Sequence, residues 1–278
     1  MGVVLTGFAD EIGPDPQLQI ATLQEMGLRF LELRAVGGKG VLDLDDGQAA
    51  EFKRALDAAG IGVSSIGSPI GKVQVRSDLA AHFARFEVAL ERAQFFAARY
   101  VRVFSFYHEG EEAAACRSQV MDFFHRMVEL AAKRDIVLLH ENESHIYGDV
   151  PERCADLLET VAHPALRAAF DPANFIQVGA DPLRAAWPLL ERHTEYFHIK
   201  DALAASRAVV PAGYGDGGLE EILRRALAAG FSGFLSLEPH LKAEDPVHGG
   251  TGPERFAKAV AALRQVLARI GVEEESRV

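Results

Sequence analysis

The strongest constraint on this chain is a rhythm: eight apolar runs, each too short to be a helix, alternate with longer amphipathic stretches. The runs cover residues 3–8, 29–34, 61–66, 100–106, 137–143, 167–171, 195–198 and 233–238. Between and after them the spacing predicts helices over 17–26, 45–59, 78–98, 113–134, from Pro151 through Leu158, and over 181–193, 219–229 and 253–270. Punctuation agrees with that division, since Gly27 and Gly60 can end the first two helices and Pro151 suits a first helical turn. Leu79, Phe83, Phe86, Leu90 and Ala93 recur at helical spacing and read as the stripe that faces a sheet. Phe123, Phe124 and Leu130 read the same way, as packing and not as a ligand box.

Short runs that are apolar throughout belong to parallel strands covered on both faces by helices. Eight consecutive strand and helix units in 278 residues is the count of a closed (β/α)8 TIM barrel, expected as a single domain over residues 1–278. An open doubly wound sheet is the alternative, but Thr6-Gly7-Phe8-Ala9-Asp10 after the first run lacks the G-x-G-x-x-G turn of a dinucleotide site. The chain also carries no P-loop, no Cys-x-x-Cys pair and no low-complexity tract. A net charge of -11 argues against nucleic acid and anionic membranes as partners, because both call for concentrated Lys and Arg. Cys116 and Cys154 fall in separate predicted helices, which suggests a reducing, cytoplasmic setting without a disulfide framework. The first residues lack a basic n-region, and no apolar run approaches membrane-spanning length. The loop 213–218 is too acidic for a phosphate cradle and reads as flexible, and the tail 273–278 reads as a solvated end.

Four successive runs stop on a hard metal ligand: Glu141, Asp171, His198 and Glu238. In a parallel barrel the ends of neighbouring strands converge on one mouth, so residues far apart in sequence meet there. A single carboxylate at a strand end is usually a rim charge or a helix cap, and a lone His is often a satisfied core residue. One such ligand on each of four successive strands instead points to one divalent cation. Three carboxylates and an imidazole suit Mn²⁺ or Mg²⁺, with Co²⁺, Zn²⁺ and Ni²⁺ also able to bind such a set.

With these motifs in view, the chain resembles the xylose isomerase-like TIM barrel superfamily, in the sugar phosphate isomerase/epimerase branch. The likeness runs from Gly7-Phe8-Ala9-Asp10-Glu11 through Ile66-Gly67-Ser68-Pro69-Ile70-Gly71-Lys72, His140-Glu141-Asn142-Glu143 and Phe170-Asp171-Pro172-Ala173-Asn174 to His198-Ile199-Lys200-Asp201 and Leu237-Glu238-Pro239-His240. It is similar to the ketose 3-epimerases, and that resemblance implies one metal held by Glu141, Asp171, His198 and Glu238, with Glu141 and Glu238 as the acid/base pair. The chemistry agrees: a proton next to a ketone leaves through an enediolate, which a divalent cation stabilises, and epimerisation needs a base on each face. Two departures leave the substrate open. Asn174 stands where those enzymes carry His, and Ala204 where they carry Arg, with Arg207 out of register.

The expectation is therefore a metal-dependent sugar isomerase or epimerase acting on a small carbohydrate, with a lyase or dehydratase on a sugar or inositol derivative as the alternative. A non-catalytic sugar-binding barrel is a third reading. Endonuclease IV-like repair shares the barrel but is disfavoured, because the early strand ends offer Glu32, Ser68 and Phe106 where further His ligands would be needed, and because the chain is acidic. Asn174, Lys200 and His240 are candidate substrate contacts, although Lys200 also reads as an ion-pair partner of Asp201. Glu32, Lys72 and His108 are candidates to close the mouth from the other side. Exposed barrel helices can also support a homo-oligomer.

Overall fold

The computed structural model describes residues 2–108, 112–245 and 248–275, leaving part of the expected tail, 276–278, outside the described residues. Eight parallel strands form the barrel: β1 (Val4–Gly7), β2 (Phe30–Leu33), β3 (Gly62–Ile66), β4 (Tyr100–Val103), β5 (Val137–Glu141), β6 (Leu166–Phe170), β7 (Thr194–Ile199) and β8 (Phe234–Leu237). Each pairs with its sequence neighbour from β2 to β8, and β8 returns to β1. The last seam, between β1 and β2, closes through a single parallel bridge from Phe8 to Glu32.

Local chemistry starts and stops the helices as the sequence reading expects, with two exceptions. Helices α1 (Pro16–Glu25) and α2 (Asp46–Ala59) begin on Asp15 and Asp45, whose carboxylates accept backbone N–H bonds, and α2 ends on left-handed Gly60. Asp78 caps α3 (Leu79–Phe95), and α4 (Ala113–Ala132) and α5 (Pro151–Val161) bury Cys116 and Cys154, which form no disulfide with each other. The first exception is α6 (Pro172–Gln177), a short helix directly after β6 where the spacing predicts none. The second lies over 181–193: one helix was expected, but a wide turn at Pro182–Ala186, the short α7 (Trp187–Leu190) and a 3₁₀ turn at Glu191–His193 stand there. The cause is Pro188, which supplies no N–H to the turn before it. Helices α8 (Leu219–Ala228) and α9 (Gly252–Arg269) complete the shell, α9 opening on a Thr251/Glu254 capping box.

Strand alternation divides the buried residues into two sets. One set joins the barrel to its helices and contains Leu138, Phe170, Phe197 and Leu235 with Phe86, Phe124 and Leu263. The smaller one fills the lower barrel with Tyr100, Val137, Leu139, Ala169 and Tyr196, against Phe234. Two residues further along the same inward faces, the filling turns polar. Tail residues 274 and 275 are exposed, as expected, but their backbone is tied down: Glu274 bridges to Val3, and the Glu275 N–H donates to the Val3 carbonyl at 2.8 Å. Among the described residues no helix is long and apolar enough to cross a membrane.

Candidate metal centre

The period of two along each strand builds the centre. In β5 the inward positions Val137 and Leu139 are followed by Glu141, in β6 Ala169 is followed by Asp171, and in β8 Phe234 and Ser236 are followed by Glu238. Tyr196, His198 and Lys200 follow one another inward along and just beyond β7, where a register shift against β6 sets their height. Glu141, Asp171, His198 and Glu238 thus each offer one ligand atom, and those atoms lie within 4.8 Å of one another in a fully buried cluster.

The donor set fits a cation. His198 Nδ1, Glu141 Oε2 and Asp171 Oδ2 are buried atoms that take no hydrogen bond, although His198 Nδ1 lies 3.1 Å from Glu141 Oε1. Two lone-pair-bearing atoms that close repel unless a proton or a metal ion lies with them. The second oxygen of Asp171 is already committed: Oδ1 accepts from the Asn174 N–H at 2.9 Å and so caps α6. The Asp171 backbone is fixed as well, exchanging two hydrogen bonds with the Asn142 side chain at 2.9 and 3.0 Å.

Cations surround this negative cluster. Lys200 Nζ lies 3.0 Å from Asp171 Oδ2 and 2.9 Å from Glu238 Oε2. Arg102 reaches Glu141 Oε2 at 3.3 Å, and Arg34 reaches Glu238 Oε1 at 3.1 Å while also holding Asp10 at 2.8 Å. Both guanidiniums lie over the Phe8 ring, at 4.5 and 4.9 Å from its centre. Burial alone would lower the His198 pKa, but Glu141 and Glu32 outweigh it and raise it to about 10. Burial likewise raises Asp171, with Lys200 opposing and the neighbouring Glu238 and Glu141 reinforcing it. Against its own burial, Glu238 is held well below the usual carboxylate range by Lys200, His240, His198 and Arg34.

The remaining candidates fall in different places. Asn174 Nδ2 donates to Glu141 Oε1 at 3.2 Å and to the Asn142 carbonyl at 2.9 Å, so it stands beside the cluster. His240 Nε2 lies 3.3 Å from Glu238 Oε1 and 3.2 Å from Glu11 Oε1 on the half-exposed side. Lys200 faces the cluster and not Asp201, which instead accepts N–H bonds from Ala202, Gly213, Gly215 and Gly217 at 2.9 to 3.1 Å. That clamp corrects the reading of 213–218 as a flexible loop. Glu32 does not close the mouth: it is fully buried, against the far nitrogen of His198. Lys72 pairs with Glu143 at 3.1 Å over the Phe104 ring, and His108 is not among the converging ligands. Sequence reasoning passed over Arg34, Arg102, Glu11 and Phe8. Arg102 was the detectable one, a charge in the middle of an otherwise apolar run.

A family model described as xylose isomerase-like TIM barrel matches residues 20–266. No curated protein matches the chain. Among solved structures, a D-tagatose 3-epimerase-like protein superposes with a TM-score of 0.78 at 14% identity, covering 97% of this chain and 98% of that one. The IOLI protein with a binding zinc atom gives 0.75 at 13% identity over 99% and 100%. The probable 3-DHS dehydratase AsbF of Bacillus anthracis, involved in petrobactin synthesis, gives 0.73 at 17% identity over 95% and 99%. At such identities the likeness is one of fold.

Proposed function

The chain belongs to the xylose isomerase-like TIM barrel family, and on that premise we propose that it is a divalent-metal-dependent isomerase or epimerase of a small keto sugar, inositol or sugar-acid derivative. The observation that carries this reading is the convergence of Glu141, Asp171, His198 and Glu238, whose ligand atoms lie within 4.8 Å of one another in a buried cluster. These four residues would hold the cation, Mn²⁺ or Mg²⁺ by preference of an oxygen-rich set. When bound, it would draw charge from a ketone and its neighbouring hydroxyl and so ease loss of the proton between them.

The protein's own groups would do the rest. Glu141 and Glu238 come from β5 and β8, and each has one oxygen toward the cluster and another beside a guanidinium. One would take the carbon-bound proton and the other return a proton to the opposite face. Asp171, fixed as the cap of α6, would hold without moving protons. Asn174 and His240, each beside one of the two Glu residues, would orient substrate hydroxyls.

The test is exchange of carbon-bound hydrogen. Mn²⁺-loaded protein is incubated in D₂O with ketoses, keto-inositols and keto sugar acids, and product is read by mass and NMR. Deuterium gained next to the carbonyl with no loss of water supports the proposal. Loss of 18 mass units from substrate would assign a dehydratase instead, and absence of exchange with every compound would overturn the catalytic reading.

A further inference from the structure

An imidazole ligand has two nitrogens, and what lies behind it decides which one faces the metal. Behind His198 lies Glu32, turned inward by strand alternation along β2, where Leu31 and Leu33 pack outward against the helices. Its Oε2 lies 3.2 Å from His198 Nε2 and also accepts from Ser236 Oγ at 2.6 Å and Tyr196 Oη at 3.1 Å. Tyr196 continues the network to Ser64 at 3.0 Å, and Ser64 to Thr6 at 2.9 Å.

This is a costly place for a carboxylate. Glu32 is 0% exposed, and its Oε1 takes no hydrogen bond at all. Burying a charge with half its acceptor capacity unused is poor economy for stability alone. Glu32 is also absent from the converging ligand set, because the His198 ring stands between them. Phe8 and Tyr196 meet that ring edge-on, with centroids at 5.2 and 5.8 Å, which holds its plane.

We propose that Glu32 is a positioning residue that fixes the His198 tautomer, keeping the proton on Nε2 and the Nδ1 lone pair toward a divalent cation among Glu141, Asp171 and Glu238. The inference rests on the metal reading above. An ionised carboxylate can only accept, so the nitrogen facing it must carry hydrogen, and Nδ1 is left to bind. A glutamine at this position keeps the shape but can offer its NH₂ group to Nε2, which would turn the proton to Nδ1 and close the ligand position.

Calorimetric titration with Mn²⁺ compares the wild-type protein with Glu32→Gln and Ser236→Ala, and long-range ¹H–¹⁵N spectra of the Mg²⁺-loaded wild type read the His198 ring. Glu32→Gln is expected to weaken Mn²⁺ binding about 10- to 100-fold. Ser236→Ala, which removes another donor to the same oxygen but leaves the carboxylate in place, is expected to bind close to wild type. The spectrum should show hydrogen on Nε2. Unchanged affinity in folded Glu32→Gln, or hydrogen on Nδ1, would overturn the inference while leaving the metal reading intact. Failure of the wild type to bind Mn²⁺ would overturn both, and if Glu32→Gln does not fold the spectrum decides alone.

Discussion

Lys200 Nζ lies 2.9 Å from Glu238 Oε2, and the same ammonium lies 3.0 Å from Asp171 Oδ2. Burial would strip the charge from this lysine, but Asp171, Glu238 and Glu141 outweigh it and raise its pKa well above the ordinary value. Lys200→Met leaves two buried carboxylates short of a cation, a loss of about 3–5 kcal/mol for a broken buried pair. Urea unfolding in EDTA should show that loss, and Mn²⁺ should restore part of it. Equal destabilisation with and without Mn²⁺ would contradict a metal among these carboxylates.

Glu141→Gln and Glu238→Gln each remove one proposed proton carrier while keeping its shape. Each is expected to lower hydrogen exchange at the carbon next to the ketone by about 10²- to 10⁴-fold. Retention of near wild-type exchange in either variant would remove that residue from the acid/base pair.

Metal affinity should rise with pH. His198, raised to about 10 by Glu141 and Glu32 against its own burial, carries a proton in the metal-free protein. Burial raises the Asp171 carboxyl as well, so protons compete for both groups. A cation must displace them, so acidification opposes binding and binding releases protons. Calorimetry in buffers of different ionisation enthalpy measures that release directly, and a pH-independent affinity between 5.5 and 8 would be the contrary result.

His140 gives a separate pH dependence, located on the outer face of β5 against the Phe124 ring. Burial lowers it from 6.5 to about 4, partly opposed by Glu141, and its Nε2 lies 3.0 Å from Ser105 Oγ. The unfolded chain therefore takes up the proton first. The contribution of neutral His140 is complete above pH 6.5, declines as pH falls through that value, and is gone near 4, a span of about 3 kcal/mol. Denaturant melts at pH 7 and 5 should differ in this direction, and the difference should shrink in His140→Asn.

The Asp201 clamp predicts a local effect. Asp201→Ala strands four N–H groups at once, which should cost at least about 2 kcal/mol and expose the Gly213, Gly215 and Gly217 amides to hydrogen exchange. Gly215→Ala should do much the same, since a Cβ there would come within 2.5 Å of the Ala202 carbonyl oxygen. Unchanged protection in both variants would deny the clamp its role.

The fold was legible because period and length report directly on strands and helices, and the last residue of a run reports what a barrel delivers to its mouth. Glu141, Asp171, His198 and Glu238 were readable on that ground, and the structure brings them together. Orientation around the ring was not readable. Strand alternation turns Glu32 inward, but that it meets the underside of His198 follows only from closure of the barrel around both strands, which leaves no trace in either run alone. Arg34 and Arg102 looked like a run boundary and an interruption, and only closure of the barrel carries both to one aromatic ring. The hold on 213–218 was hidden for a similar reason. A glycine-rich acidic segment reads as mobile until the carboxylate that fills it, twelve residues upstream of Gly213, is seen.

The seam between β1 and β2 is stitched by a single bridge, Phe8 to Glu32, whereas every other junction in the ring is a ladder of two or more paired positions. The wall is thus thinnest where the ring of Phe8 meets the imidazole of His198 and where Glu32 supports that imidazole from behind. A cylinder weakest along one line will breathe there first, widening or narrowing its mouth without unzipping the rest. Amides of residues 6–8 and 30–33 should therefore be the most readily deuterated in the strands, and their slowing on addition of a divalent cation would mark the moment the cylinder is drawn tight.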